Sequence, residues 1–267
     1  MEKKKTVNEL IKESGIITHY KTVNKLKTLG WEVFVSPYYF DVISDTVKEI
    51  DIIAEKPFYS VSDAAYSSKV QINVQLFLEC KYIKNEIGLW FDNINRDNVV
   101  SKLEKITNLP LVYGSRSQGF SPDKFHYFRY NKTVKLFTPD TNKEDIIYKA
   151  ITQCLNAQTY HQDKGRTLHF HFSGRDGTIN NIIRYPMIVC DKFDKLQEIE
   201  LSNGGDIYKT KPIENIFALE TNYSAENTGF EYSLIDVVDF NYLEKFLDEL
   251  GQEAKDLVGA YVFKGRR

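Results

Sequence analysis

From Gln71 to Lys81 the chain alternates at period two. Ile72, Val74, Leu76, Leu78 and Cys80 fall on one side, and Gln71, Asn73, Gln75, Phe77, Glu79 and Lys81 on the other. This predicts a strand that ends with Glu79 and Lys81 on the same face. A shorter alternation, Glu49 to Ala54, sets Ile50, Ile52 and Ala54 against Glu49, Asp51 and Ile53, and predicts a strand carrying an acid opposite an apolar face. A helix and a strand are expected between Lys21 and Val35. Helical spacing recurs over Asp97 to Asn108, over Lys143 to about Gln158 through Ile146, Ile147, Ala150, Ile151, Cys154 and Leu155, and over Asn241 to Leu250 through Leu243, Phe246, Leu247 and Leu250. Strands are predicted over Tyr185 to Cys190, a continuous apolar run of the kind found in a sheet covered on both sides, and over Phe217 to Tyr223 and Glu231 to Asp239.

Between these elements, Pro57 to Lys69 is polar and rich in Ser and Tyr, and reads as an excursion between the two acid-bearing strands. Gly114 to Pro122 reads as an exposed loop, and its glycines make no phosphate-binding loop because no Gly-Lys-Ser/Thr follows. The expectation is one α/β domain over residues 1–267, with insertions near 57–70 and 114–135.

Composition adds bounds. With 267 residues, 42% hydrophobic and 13% aromatic, the chain can bury a full core. A net charge of -2 argues against indiscriminate coating of nucleic acid and leaves room for a local basic patch. Cys80, Cys154 and Cys190 stand apart, which indicates neither a disulfide framework nor a structural zinc site. Behind Met1-Glu2-Lys3-Lys4-Lys5 there is no apolar leader, and no run of about 18 apolar residues occurs. The expected location is cytoplasmic, without a membrane partner.

If the two acid-bearing strands are neighbours, Asp51, Glu79 and Lys81 converge. Carboxylate oxygens are hard ligands suited to Mg²⁺, and a lysine beside them can orient water or phosphate. The bland reading is a surface salt-bridge ladder. Lys21, Lys25, Lys27, Lys102, Lys105, Arg116, Lys124, Arg129, Lys132 and Lys135 are candidate phosphate contacts, with Phe125, Tyr127, Phe128 and Tyr130 placed to stack on unpaired bases or to pack beneath a solvated face. His169 and His171 share a strand face with His161 near in sequence, but no cysteine or acid stands at ligand spacing, so a strand and tight turn is favoured over a metal site. Lys264 to Arg267 could touch a phosphate backbone or stay in water.

The order of a helix after Ser14-Gly15, the strand with Trp31-Glu32-Val33, the strand with Glu49-Ile50-Asp51 and the strand with Leu78-Glu79-Cys80-Lys81 resembles the PD-(D/E)xK restriction-endonuclease-like nucleases. The motifs cover roughly the first 90 residues, and the rest follows by order of elements. The resemblance implies an αβββαβ core with a mixed central sheet flanked by helices, extended here by C-terminal strands and a helix. It also implies Mg²⁺-dependent cleavage of DNA, with Mn²⁺ as a substitute. Asp51 and Glu79 would be metal ligands, the Cys80 carbonyl a further one, and Lys81 the catalytic lysine. Many relatives carry a helix glutamate where this chain has Thr18-His19-Tyr20, so Glu13 substitutes, His19 takes the place, or the third acid is absent. Candidate substrate contacts are Gln75, Arg116 and Gln153. The roles implied are restriction, phage defence or repair, with a homodimer able to cut both strands. The alternatives are an inactive descendant that binds nucleic acid or a partner protein, and an interaction protein in which the acid–lysine set is a buried ion pair.

Overall fold

The structure, a computed structural model, describes residues 6–60, 70–107, 109, 121–138, 146–163, 179–223 and 231–264. In chain order the elements are α1 (Val7–Glu13), α2 (Ile16–Thr28), β1 (Glu32–Val35), β2 (Tyr38–Asp41), β3 (Thr46–Glu49), β4 (Ile52–Tyr59), β5 (Val70–Lys81), β6 (Ile87–Asn93), α3 (Arg96–Thr107), β7 (Lys132–Phe137), α4 (Ile146–Asp163), β8 (Ile179–Cys190), β9 (Leu196–Leu201), β10 (Ile207–Pro212), β11 (Ile216–Tyr223), β12 (Glu231–Asp239) and α5 (Leu243–Lys264). Two 3-10 turns, Pro122–Lys124 and His126–Phe128, precede β7.

The alternation that marks β5 has a reason: both its faces are covered. Ile72, Val74, Leu76, Leu78 and Cys80 enter a core with Leu26 of α2, Leu103 of α3 and Phe246 of α5. Phe77, on the other face, joins Ile147, Ile151 and Cys154 of α4 and Tyr39 of β2. Each fully buried large apolar side chain contributes roughly 1.5–3 kcal/mol, so the register of β5 is strongly fixed. The result is a large mixed sheet flanked by helices. Among the described residues its strands run β1-β4-β5-β8-β12-β11-β7-β6-β9-β10, and β2 and β3 form a separate hairpin.

β1, β4 and β5 make an antiparallel meander, with Val35 opposite Ile52 and Ile52 opposite Leu78. β8 then lies parallel to β5 from Val70 opposite Ile179 to Lys81 opposite Cys190. The turn that feeds the meander follows from Leu29-Gly30-Trp31. Gly30 takes φ +76, which a side chain disfavours, and the Trp31 N–H reaches back to the Leu26 carbonyl at 3.0 Å to close α2.

Several expectations are corrected. Asp51 is not within a strand: it occupies a bend between β3 and β4, and Ile50 packs with Ile53 rather than sharing a face with Ile52 and Ala54. Pro57 to Tyr59 belong to β4, and the rest of that excursion, 61–69, lies outside the described residues. The segment expected as an insertion near 114–135 supplies core instead: Phe125 and Tyr127 are buried and Lys132 to Lys135 are in β7. Those aromatics pack beneath the surface and offer no face to a base. β8, α4 and α5 extend beyond the predicted segments, and β2, β6, β7, β9 and β10 are added to them. The His169-His171 region and the stretch 114–120 lie outside the described residues. No helix among the described residues is long and apolar enough to cross a membrane.

Candidate active site

The chain leaves the meander at Ser36 and returns at Asp51. The Ser36 N–H donates to the Asp51 carbonyl at 2.8 Å and the Ile50 N–H to the Pro37 carbonyl at 3.1 Å, which ties the neck of the β2–β3 hairpin. Ser36 adopts φ 52 at this neck. The tie delivers Asp51 to the head of β4, beside the last turn of pleat in β5. There the Cys80 N–H donates to Asp51 Oδ2 at 2.7 Å, and the Asp51 N–H donates to Glu79 Oε1 at 3.2 Å. Lys81 Nζ donates to Glu79 Oε2 at 2.5 Å. Asp51, Glu79 and Lys81 are therefore brought together, in a cleft of about 490 Å³.

Burial sets the electrostatics. The Glu79 side chain is 1% exposed and that of Lys81 15%. Burial pushes the Glu79 carboxyl up to about 7 even though the Lys81 charge pulls it down, and the Asp51 charge pushes it further up. For Lys81, burial acts to lower the pKa, but the Glu79 and Asp51 charges outweigh it and hold the ammonium above its ordinary value. Lys81 is thus a fixed cation at neutral pH, whereas Glu79 titrates near neutrality.

The other walls come from α2 and α4. His19 and Gln153 both line the cleft. Among the described residues His19 Nε2 and Gln153 Oε1 are buried without a hydrogen-bond partner, while Gln153 Nε2 donates to the Glu49 carbonyl at 3.2 Å. Lys149, one turn before Gln153, lines the same wall, as does Tyr82. Neither was singled out from the sequence. A Lys at i and a Gln at i+4 on a helix already assigned to the core strands was the available signal.

Gly15 shows how tightly the pieces fit. A Cβ there would sit 2.7 Å from the Cys80 carbonyl oxygen, so α2 presses directly on the end of β5. Gly15→Ala is expected to push the helix off the strand and to cost about 1–3 kcal/mol, the usual penalty of overpacking. A urea unfolding midpoint equal to that of the unmodified protein would refute this contact.

Other expected contacts do not gather here. Gln75 is fully buried and donates to Glu55, because both faces of β5 are covered at that point; it does not reach the cleft. Arg116 lies outside the described residues, and Glu13 ends α1 with its side chain likewise outside them. Of the expected phosphate contacts, Lys25 pairs with Glu244, Lys102 and Lys105 with Glu231, Lys124 with Asp256, Arg129 with Glu249 and Lys135 with Glu220.

The side chains at the centre of the cleft include two carboxylates, Asp51 and Glu79, with Cys80 and His19 in the same wall. The two carboxylates suit a hard dication that keeps several waters, and Gln153 Oε1 is a further oxygen in need of a partner. Among the described residues no cluster of three or more His, Cys, Asp or Glu side chains has metal-binding geometry. No family model, curated protein or solved structure matches the chain.

Proposed function

We propose that the protein is a metal-dependent DNA endonuclease of the PD-(D/E)xK type, with Asp51, Glu79 and Lys81 as its centre. The observation that carries this reading is the meeting of the two acids and the lysine at one cleft, joined by hydrogen bonds of 2.5 to 3.2 Å. Chain order supports it. α2, the β1-β4-β5 meander, α4 and a β8 parallel to β5 can be read as an αβββαβ order in which the β2–β3 hairpin, β6, α3 and β7 are interposed, with the acids at the β5 end that abuts α2.

Asp51, Glu79 and the Cys80 carbonyl would hold Mg²⁺, which when bound supplies Lewis-acid activation of a phosphate oxygen and of water. Hydrolysis forms a bond from water oxygen to phosphorus and breaks the bond from phosphorus to one ester oxygen, which leaves with a proton. Lys81 places a permanent positive charge where negative charge accumulates on the phosphoryl oxygens. Gln153 Oε1, an acceptor, would be satisfied by the proton of an incoming water, and His19 Nε2 by a water or, where it carries the ring proton, by a phosphate oxygen. Digestion of supercoiled, linear and single-stranded DNA with Mg²⁺, Mn²⁺ or chelator tests the reading. Metal-dependent cutting by the unmodified protein that Asp51→Ala abolishes supports it, and cutting that persists in Asp51→Ala refutes the assignment.

The Glu79 carboxyl, held near 7, yields a pH dependence. Below that value it carries a proton and cannot serve as an anionic ligand. The Mg²⁺ concentration for half-maximal cleavage is expected to rise about tenfold for each pH unit below 7, because one proton must leave for each ion bound. Mg²⁺ titrations at several acidic pH values check this, and a constant half-saturation point contradicts it.

A second reading is an inactive descendant that binds nucleic acid or a partner protein through the same fold. The 2.5 Å Glu79–Lys81 pair favours it, since an ion pair that satisfies itself needs no cation. DNA binding without cutting on any substrate, in any metal, would establish this alternative.

A further inference from the structure

A second hollow of about 240 Å³ also has Tyr82 in its wall, together with Ile17, Lys21, Asp191, Lys192 and Phe240. The first turns of α2 stand between the two hollows. Gly15, Ile16 and His19 line the catalytic side, and Ser14, Ile17, Thr18 and Lys21 the other, as 100° per residue requires of opposite helix faces. Tyr82 directly follows Lys81, so the second hollow begins one residue from the centre.

Its chemistry differs from that of the main cleft. Tyr82 and Phe240 offer two aromatic surfaces, and Lys21 Nζ lies 5.8 Å from the Phe240 ring centroid. Lys192 pairs with Asp194 at 2.5 Å, with side chains 55% and 45% exposed. Exposed pairs of this kind hold weakly, so Lys192 can exchange its partner for a phosphate. Asp191 is engaged in structure: its Oδ1 accepts the Ile83 N–H at 3.3 Å and pins the turn after β5. Aromatic rings beside cations are the elements of a platform for unpaired bases, and the exposed Lys21, whose Nζ lies over the Phe240 ring, uncovers that ring when it turns to a phosphate.

We infer that this second hollow takes the nucleotide next to the scissile phosphate in unpaired form, its base on Tyr82 and Phe240 and its phosphate on Lys21 and Lys192. The DNA strand that is cut is then single-stranded for at least one nucleotide beside the cut. This rests on the nuclease reading of the main cleft.

Fluorescence anisotropy in chelator, with a short single-stranded oligonucleotide and a blunt duplex of the same sequence, tests it without turnover. The single strand should bind at least about tenfold tighter than the duplex. Tyr82→Ala should lose about tenfold of that affinity and Tyr82→Phe should keep it, as stacking requires. The double variant Lys21→Ala with Lys192→Ala removes two exposed side chains and puts the fold at no risk. It should weaken single-strand binding and reduce the slope of log affinity against log salt by about 1.4. Equal or tighter duplex binding overturns the inference, as does a double variant with unchanged affinity and slope. Cleavage in Mg²⁺ separates the two readings. A protein that cuts blunt duplex as fast as single strand keeps the nuclease and loses the unpaired-nucleotide hollow. A protein that binds single strands with the Tyr82 and lysine effects but never cuts keeps the hollow and loses the nuclease.

Discussion

Lys81→Ala is expected to reduce metal-dependent cleavage by about a hundred- to a thousand-fold, while DNA affinity in chelator changes only a few-fold. The size follows from removing a preorganised charge from a buried site, where such groups are worth far more than in water. Lys81 holds its proton firmly, since the Glu79 and Asp51 charges outweigh the effect of burial. It therefore acts as a fixed cation and not as a base. The loss has a second component. Without Lys81, Glu79 keeps its burial and loses the charge that stabilises its anion, so its carboxyl moves further up and the centre is less often ionised. Lys81→Met, which keeps the stem and removes only the charge, should match the alanine variant. Lys81→Arg should not rescue, because a planar fork cannot replace a compact ammonium 2.5 Å from Glu79 Oε2. Single-turnover rates decide the matter, and an alanine variant that cuts at the original rate removes Lys81 from the mechanism.

Glu253→Ala is expected to destabilise the fold by about 3–5 kcal/mol, the cost of stranding a buried charge when its partner is removed. Glu253 belongs to a network remote from the cleft. Its Oε1 faces His126 Nδ1 at 2.7 Å, and Asp236 Oδ2 faces His126 Nε2 at 3.2 Å. Tyr127 and Tyr130 donate to Asp236, and Tyr185 to Glu253. Burial acts to lower the pKa of His126, but the Glu253 and Asp236 charges outweigh it and raise the imidazole to about 10. The folded pKa thus lies above the ordinary histidine value. The stabilisation is complete below about pH 6.5 and is lost as pH rises through about 10. Urea unfolding from pH 6 to 10 should show stability falling steadily by a few kcal/mol, and Glu253→Gln should flatten that fall. A flat profile in the unmodified protein would mean that His126 is neutral throughout.

The central strands were legible because two-sided burial leaves a plain record. β5 alternates apolar residues against a mixed set, and β12 was bounded correctly from Glu231 to Asp239. Asp51 misled for a physical reason. Glu49 to Ala54 alternates as one strand would, yet the neck of the β2–β3 hairpin bends the chain at Asp51 and moves Ile50 to the opposite core. Outer strands such as β9 and β10 carry Gln197, Glu198, Glu200, Lys209 and Lys211, whose polar character hides a strand that has little to bury. Glu79 and Lys81 were readable together, since they share one face of a strand with a clear period; Asp51 meets them through the neck of the hairpin and not through the period. The His126 network was not readable. Its aromatics left stacking on bases and packing beneath a solvated face both open, and its anionic partners, Asp236 and Glu253, lie 110 and 127 residues further along the chain.

The pairing of β5 with β8 has a consequence for synthesis. Lys81 aligns with Cys190, so the strand that bears Glu79 gains its second neighbour only after more than a hundred further residues have been made. At roughly 5–20 residues per second, that delay on the ribosome lasts on the order of 5–20 seconds. α5, which seals one face of β5, emerges later still. The sheet on both sides of β5, and the helix that covers it, are complete only late in translation, so the cleft that holds Asp51, Glu79 and Lys81 gains its full frame only when the chain is nearly finished.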